Sequence, residues 1–276
     1  MSAARRLEGR VAVVTGSASG IGFATACRMA AEGASVAMVG RREPGIQSAA
    51  EEASSHGTAR AYVADVTDAA AIDRALAGIT DELGTPDILV NNAGVTIVGS
   101  ITEITEEDWD RQFAVNLKSV YLVSRALWPG FRRLGRAAVV NMASVGSVWA
   151  IPNDAGYCAT KAGVLMLTKC MAVDGAADGI RVNCVIPGYV ETGMIRGYFD
   201  AQPDPDAARR QAIGLHPLGR LGTPDDIAAA CVHLCSDDAS WVTGTSFTVD
   251  GGVTAGLHAD PPPDLPTRQS ALGGTR

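Results

Sequence analysis

A tyrosine and a lysine four positions apart are the residues of this sequence best suited to acid–base chemistry. They bound the segment Tyr157-Cys158-Ala159-Thr160-Lys161. Side chains at positions i and i+4 of a helix share one face. A nearby ammonium favours the phenolate and lowers the tyrosine pKa from its usual value of about 10. The pair can therefore move a proton to or from a hydroxyl or carbonyl oxygen, although the same spacing also occurs on solvated helix faces.

Ser144 stands one loop upstream of the tyrosine, directly after an apolar run at residues 137–143. Such a run is typical of a buried strand. A strand there would deliver the Ser144 hydroxyl to the mouth of a cleft, and we expect it to lie near Tyr157.

Three glycines follow the first apolar run and predict a phosphate-binding turn. Val11–Thr15 is followed by Gly16, Gly20 and Gly22 in the spacing GxxxGxG, and then by a helical pattern. Glycines let the backbone approach a pyrophosphate, and a helix N-terminus offers unpaired N–H groups and a favourable dipole. The alternative is a turn that needs glycine only for its shape. The order of strand, turn and helix favours dinucleotide binding.

Two arginines lie just beyond the end of the second predicted strand. In dinucleotide-binding folds an acidic residue here binds the ribose 2′-hydroxyl of NAD, whereas arginine accommodates the 2′-phosphate of NADP. This chain has Arg41 and Arg42 and no carboxylate at that position. Guanidinium groups match phosphate geometry in bidentate fashion. The sequence therefore favours NADP(H) over NAD(H), and the alternative is a pair of solvated arginines.

The order of apolar runs predicts the fold class. Strands are predicted at residues 11–15, 34–39, 59–64, 87–90, 136–142, 180–186 and 245–249. They alternate with helical patterns, including one long helix after residues 105–108, which predicts an α/β fold with a parallel sheet. Residues 189–217 have weak periodicity and are predicted to be a mobile lid. One domain is expected over residues 1–256, with a disordered tail at 257–276.

The composition of the chain argues against several classes of function. Net charge is −7 and there is no basic run, so nucleic acid is not expected as a partner. No apolar run approaches the length of a membrane span, and no signal peptide is expected. All six cysteines lie in apolar segments and are predicted to be reduced and buried, as is typical of a cytoplasmic protein. No metal site is expected.

Taken in order, these motifs resemble the classical short-chain dehydrogenase/reductase family. The residues that carry the resemblance are TGSASGIG at 15–22, NNAG at 91–94, Asn116, Ser144, YCATK at 157–161 and PGYVET at 187–192. The resemblance covers residues 7–252. It implies a doubly wound Rossmann fold with seven parallel strands in a single domain. It also implies hydride transfer between a nicotinamide C4 and an alcohol or carbonyl carbon.

The resemblance also implies roles for individual residues. Tyr157 would be the acid or base, Lys161 would lower its pKa, Ser144 would bind the reacting oxygen, and Asn116 would hold a water of the proton relay. The implied cofactor-binding residues are Gly16, Ser19, Gly20, Ile21, Gly22, Arg41, Asp65, Val66, Asn92, Ala93, Gly94, Tyr157, Lys161, Pro187, Val190 and Thr192. NADP-dependent members often carry a second basic residue in the glycine turn, where this chain has Ala18 and Ser19.

The substrate is expected to contact residues between Ser144 and Tyr157 and on the lid. The predicted set is Ser144, Val145, Trp149, Asn153, Tyr189 and Met194. This lining is largely apolar and has no arginine, which predicts a neutral, hydrophobic ketone or secondary alcohol. A 3-oxoacyl-type substrate and a sugar or other alcohol oxidised with NAD both remain open. The family resemblance also implies a homotetramer or homodimer, to which Trp109, Trp128 and Val164 would contribute. Burial within a single subunit is the alternative for the same residues.

Two other functions compete with that of an oxidoreductase. A non-catalytic nucleotide-binding scaffold commonly lacks the tyrosine or the lysine, and this chain has both Tyr157 and Lys161. A nucleotide-sugar epimerase or dehydratase usually needs a larger C-terminal substrate domain. Both alternatives are therefore less favoured than an enzyme acting on a small carbonyl or alcohol.

Overall fold

Short apolar runs form the strands of a central sheet, because a strand covered by helices on both sides needs apolar side chains on both faces. The computed structural model describes residues 5–200 and 202–256. The seven strands are β1 Val11–Thr15, β2 Ser35–Gly40, β3 Ala59–Val63, β4 Ile88–Asn91, β5 Ala137–Met142, β6 Ile180–Pro187 and β7 Ser246–Val249. Each lies within about one residue of its predicted position. The predicted tail at 257–276 lies outside the described residues.

The sheet is parallel throughout and has the strand order β3-β2-β1-β4-β5-β6-β7. Val13 of β1 pairs with Ala37 of β2 on one side and with Leu89 of β4 on the other. The chain order reverses between β1 and β4, which makes their carboxyl ends the topological switch point where such folds bind ligands. The predicted doubly wound Rossmann fold in a single domain is confirmed.

The helices cover both faces of the sheet. They are α1 Gly20–Ala31, α2 Glu43–Ala53, α3 Ala69–Leu83, α4 Glu106–Phe113, α5 Ser119–Leu134, α6 Ala155–Gly175, α7 Gly193–Asp200, α8 Pro205–Gly214 and α9 Pro224–Cys235. Successive residues of β1 point to opposite faces. Val14 packs in a core with α1, α2 and α9, and Val13 packs in a second core with α3, α5 and α6.

The long helix predicted after residue 105 is divided in the structure. A π-helical turn, Ala114–Lys118, separates α4 from α5. Such a turn inserts an extra residue into the α-helical ladder and is frequent at functional sites. Sequence periodicity does not reveal it, because the apolar positions on either side still fit a helical repeat.

The segment predicted to be a lid, residues 189–217, contains two helices, α7 and α8. Asp204 caps α8 by accepting a hydrogen bond from the N–H of Ala207, and Pro205 occupies its first turn. The weak periodicity of the segment reflects two short helices that bury few residues. Phe199, Ala212 and Leu221 form their small core.

The exposure of individual residues corrects two sequence predictions. Cys184, Cys231 and Cys235 are buried, but Cys27 and Cys158 are partly exposed and Cys170 is exposed on α6. Val164, a predicted subunit contact, is buried within its own chain. Within residues 5–200 and 202–256, no helix is long and apolar enough to cross a membrane. The same residues contain no cluster of three potential metal ligands.

Candidate active site

The glycine turn between β1 and α1 is shaped to receive a phosphate group. Gly16 and Gly20 have positive φ angles of 64° and 58°, a region that residues with a Cβ rarely adopt. A Cβ on Gly16 would also lie 2.7 Å from the Cα of Ala93. Ser19 makes no side-chain capping bond at the start of α1. The first N–H groups of this helix therefore remain available to an anion.

Asn92 fixes the glycine turn against the end of β4. Its side-chain amide donates hydrogen bonds to the carbonyl oxygens of Thr15 at 3.0 Å and Gly16 at 3.1 Å. The Thr15 hydroxyl in turn accepts from the backbone N–H groups of Asn92 at 3.0 Å and Ala93 at 3.1 Å. These bonds join the carboxyl ends of the two strands that flank the switch point.

Arg41 and Asp65 lie together at the far end of the turn, beyond β2 and β3. Burial raises the pKa of Asp65, but hydrogen bonds from Thr67 and the nearby Arg41 guanidinium outweigh it and lower the pKa overall. Arg41 and Arg42 are exposed. Among the described residues, neither arginine forms an ion pair. Their guanidinium groups are thus available to a phosphate.

One cavity of about 840 Å³ connects the glycine turn with the tyrosine and lysine. All predicted cofactor residues except Gly22 line it. Gly22 lies behind the turn, where a Cβ would be 2.5 Å from the carbonyl oxygen of Gly16. An elongated cavity with a phosphate turn near one end and acid–base residues at the other fits a nicotinamide dinucleotide.

Ser144 and Tyr157 meet at the inner end of this cavity. Ser144 follows β5 and begins a short 3₁₀ turn, in which its hydroxyl oxygen accepts a hydrogen bond from the N–H of Gly146 at 3.1 Å. Tyr157 lies in the first turn of α6. The Ser144 hydroxyl lies close enough to the Tyr157 phenol to favour its ionised form, which acts to lower the tyrosine pKa. The strand end and the helix start thus bring the two predicted residues together.

The acidity of Tyr157 differs from the sequence prediction. Burial raises the pKa of Tyr157 to about 12, which outweighs the hydrogen bond from Ser144. The nearby groups Asp154, Cys158 and Tyr189 raise it further. The hydrogen bond of the Lys161 ammonium goes to the backbone carbonyl of Met142. The phenol is therefore a proton donor at neutral pH.

Lys161 is a buried cation held beside the tyrosine. Its Nζ donates to the carbonyl oxygen of Met142 at 2.8 Å and lies 5.6 Å from the centre of the Tyr157 ring. Burial lowers the pKa of Lys161 to about 8. A cation at this position can stabilise a phenolate once charge develops on the tyrosine.

The π-helical turn places Asn116 behind Lys161. The Asn116 Oδ1 accepts from the N–H of Val95 at 2.8 Å, and its Nδ2 donates to the Val95 carbonyl at 2.9 Å and the Thr160 hydroxyl at 3.2 Å. Asn116 is buried and does not line the cavity. Its side chain ties the loop after β4 to helix α6. The water-holding role implied by the family resemblance stays a prediction.

The substrate end of the cavity contains only part of the predicted set. Ser144, Val145, Tyr189 and Met194 line the cavity. Trp149 and Asn153 do not. Trp149 is exposed to 39%, and Asn153 is exposed and has a left-handed backbone conformation with a φ of 58°. The loop between Ser144 and Tyr157 therefore places Ile151 and Asp154 at the cavity.

Several cavity residues were not identified from the sequence. They include Ala18, Pro44, Gly45, Thr96, Ile151, Asp154 and Tyr198. Asp154 is the most informative, because it places a carboxylate beside a lining predicted to be apolar. Its position directly before the helix that carries Tyr157 is the signal that would have revealed it, because the residue before a helix lies beside the side chains of the first turn.

Comparison with known proteins agrees with this geometry. A family model described as enoyl-(acyl carrier protein) reductase matches residues 16–254. The chain is 39% identical over 249 residues to 3-oxoacyl-(acyl-carrier-protein) reductase FabG of Thermotoga maritima, covering 90% of this chain and 99% of the relative. It is also 39% identical over 250 residues to D-threitol dehydrogenase of Mycolicibacterium smegmatis, covering 90% of this chain and 94% of the relative.

A solved structure extends the similarity to the fold. The crystal structure of levodione reductase matches with a TM-score of 0.88 at 34% identity, over 91% of this chain and 100% of that one. The ordered motifs, the parallel sheet and the named relatives all agree. The chain belongs to the classical short-chain dehydrogenase/reductase family and is an NAD(P)-dependent oxidoreductase that interconverts a ketone and an alcohol.

Proposed function

We propose that this protein is an NADP(H)-dependent reductase of uncharged ketones. The observation that carries the proposal is the single cavity that joins Arg41, at the ribose end, to Ser144, Tyr157 and Lys161 at the other. The lining between these ends is largely apolar. An NAD-dependent alcohol or sugar dehydrogenase is the second candidate, and similarity to D-threitol dehydrogenase favours it.

The chemistry follows from the side chains at the inner end. When bound, the reduced nicotinamide supplies the hydride that reaches the carbonyl carbon. Tyr157 donates its phenol proton to the carbonyl oxygen, and Ser144 donates a hydrogen bond to the same oxygen. Lys161 stabilises the phenolate that remains until it regains a proton from solvent. The raised pKa of Tyr157 keeps the proton on the phenol at neutral pH, as reduction requires.

A substitution of the tyrosine tests the proposed acid. Tyr157→Phe keeps the ring but removes the only proton that the phenol can give. We expect reduction of a ketone panel by NADPH to fall by at least about 10²-fold. Binding of NADPH, followed by nicotinamide fluorescence, should change little. Retention of wild-type turnover would overturn the assigned mechanism.

Arg41 tests the choice of cofactor. Arg41→Ala should weaken NADPH binding by about tenfold or more and leave NADH binding nearly unchanged, because only NADPH carries the 2′-phosphate. Arg74→Ala is the matched control, since Arg74 is exposed on α3 and lies outside the cavity lining. Equal losses for both cofactors, or wild-type preference for NADH, would favour the NAD-dependent candidate.

The substrate class and the assembly are further parts of the proposal. Similarity to FabG favours a 3-oxoacyl-type ketone, whereas similarity to D-threitol dehydrogenase favours a polyol.

For the assembly we propose a homotetramer or homodimer. Met166 and Val173 on α6, Trp241 before β7 and Phe247 on β7 are exposed apolar side chains suited to a subunit contact. A cytoplasmic location remains a prediction from the sequence.

A further inference from the structure

Asp154 is a buried carboxylate at the substrate end of the cavity. It directly precedes α6, is exposed to only 9%, and lines the same cavity as Ser144 and Tyr157. A charged group in such a position costs free energy unless partners compensate for the lost water. The partners of this carboxylate therefore decide what it does.

The partners in the protein are few. The Thr96 hydroxyl lies 3.2 Å from one carboxylate oxygen and 3.4 Å from the other. A carboxylate can accept about four hydrogen bonds. Across residues 5–200 and 202–256, no ion pair involves Asp154. Its titratable neighbours are Tyr157, Cys158 and Tyr189, none of them a cation at neutral pH. Much of its capacity to accept hydrogen bonds thus stays open.

The side chain of Asp154 also does not cap helix α6. An aspartate that directly precedes a helix normally accepts hydrogen bonds from the first turn. The Asp154 side chain makes no such bond. The helix is instead started by its backbone, because the carbonyl of Asp154 accepts from the N–H of Cys158 at 2.9 Å. Helix capping therefore does not account for the carboxylate.

The backbone around Asp154 is held in place from two sides. The N–H of Gly99 donates to the carbonyl of Asn153 at 2.7 Å, and the N–H of Asp154 donates to the carbonyl of Ile151 at 3.2 Å. Thr96 follows Val95, which Asn116 binds through both backbone groups. The backbone that carries the carboxylate, and the loop that carries its partner Thr96, are thus held in place beside Tyr157, as a specificity group requires.

We infer that Asp154 accepts a hydrogen bond from a second hydroxyl group of the substrate, so that the site selects hydroxyketones and the corresponding diols. This inference rests on the proposed function and names the substrate class of the same site. Asp154 lines the same cavity as Tyr157 and is close enough to raise its pKa, so a ketone bound at Tyr157 can place a neighbouring hydroxyl at the carboxylate. A cationic substrate is disfavoured by Lys161 nearby, and an anionic one by Asp154 itself.

The test compares two ketones that differ in one hydroxyl. Full-length protein with NADPH, and in parallel with NADH, reduces 3-hydroxy-2-butanone or 2-butanone, and the ratio of the two kcat/KM values is measured. We expect a ratio of at least about tenfold in the wild type, because a site built around a substrate hydroxyl rejects the analogue that lacks it. The ratio should approach one in Asp154→Ala. Asp154→Asn, whose amide oxygen still accepts, should be intermediate.

Two controls separate this role from a structural one. Asp174→Ala makes the same change on an exposed site of α6, outside the cavity lining, and should keep the wild-type ratio. The melting temperature of Asp154→Ala should equal or exceed that of the wild type, because an incompletely compensated buried charge is removed. A lower melting temperature with an unchanged ratio would show a structural role and overturn the inference.

The remaining outcomes distinguish the inference from the proposed function. Reduction of both ketones without preference, or a preference that survives in Asp154→Ala, overturns the inference alone. Faster reduction of a 3-oxobutanoyl thioester, unaffected by Asp154→Ala, also overturns it and favours the 3-oxoacyl candidate. Failure to reduce any ketone of a broad panel with either cofactor overturns the proposed function together with the inference.

Discussion

The ammonium of Lys161 lies 5.6 Å from the centre of the Tyr157 ring and donates to the carbonyl oxygen of Met142 at 2.8 Å. The lysine therefore reaches past the tyrosine to the end of β5. Burial lowers the pKa of Lys161 to about 8 and raises that of Tyr157 to about 12. Both shifts favour the uncharged forms, so the site holds a phenol beside a destabilised ammonium.

Lys161→Met should stay folded and be more stable than the wild type at neutral pH. The folded-state pKa of Lys161 lies below the unfolded value of 10.5, so the unfolded state binds more protons and stability rises with pH between about 8 and 10.5. At pH 7 the charged lysine costs stability, and we expect the variant to be more stable by about 1–3 kcal/mol. Urea unfolding at several pH values measures this difference, which should shrink towards pH 10.

The same variant should reduce ketones at least about 10²-fold more slowly. A clear loss of stability in Lys161→Met at pH 7 would contradict the predicted gain in stability. It would show that the hydrogen bond from Lys161 to Met142 outweighs the cost of burying the charge.

Asp154 should make folding stability depend on pH in mildly acidic solution. Burial raises the pKa of Asp154 from 3.8 to about 6. The folded state then binds more protons than the unfolded state between these values, so this carboxyl contributes less stability as pH rises through the window. The total change is at most about 3 kcal/mol.

Asp154→Asn removes this contribution. The free energy of unfolding of the variant, minus that of the wild type, should therefore increase from pH 4 to pH 7. A difference that stays constant with pH would show that the carboxyl of Asp154 is not held in a raised-pKa environment.

Two glycine substitutions should have opposite effects. A Cβ on Gly22 would lie 2.5 Å from the carbonyl oxygen of Gly16 and would also overlap the Asn92 amide. Gly22→Ala should therefore cost about 1–3 kcal/mol and weaken NADPH binding. A Cβ on Gly197, within α7, would have no other group within 4 Å. Gly197→Ala should be neutral or stabilise by up to about 1 kcal/mol. Equal stability of the two variants in thermal unfolding would contradict the packing of the glycine turn.

Asn116→Ala should affect both stability and turnover. It leaves the N–H and carbonyl of Val95 without their side-chain partner, which costs about 1–3 kcal/mol. The freed loop carries Gly94 and Thr96, so we expect kcat to fall as well. Thermal unfolding and steady-state kinetics check both effects. A variant as stable as the wild type would show that solvent replaces the amide without cost.

The sequence alone determined the class of fold, and its resemblance to the family implied about half of the residues that line the cavity. Continuous apolar runs such as Val11–Thr15 require cover on both faces, and their alternation with helical patterns predicts a parallel sheet. The doubly wound Rossmann topology was implied by the family resemblance. The glycine spacing after β1 and the pair Tyr157 and Lys161 are local patterns with local physical meaning. Periodicity and turn chemistry were sufficient to find them.

Only the tertiary structure decided what depends on distant parts of the chain. The π-helical turn that places Asn116, and the inward direction of Asp154 rather than Trp149 or Asn153, depend on how the loop after β4 packs against α6. The raised pKa of Tyr157 depends on burial by several elements at once. A sequence pattern records which side chains share a face. Burial, and the cost of removing a charge from water, follow only once separate elements have packed together.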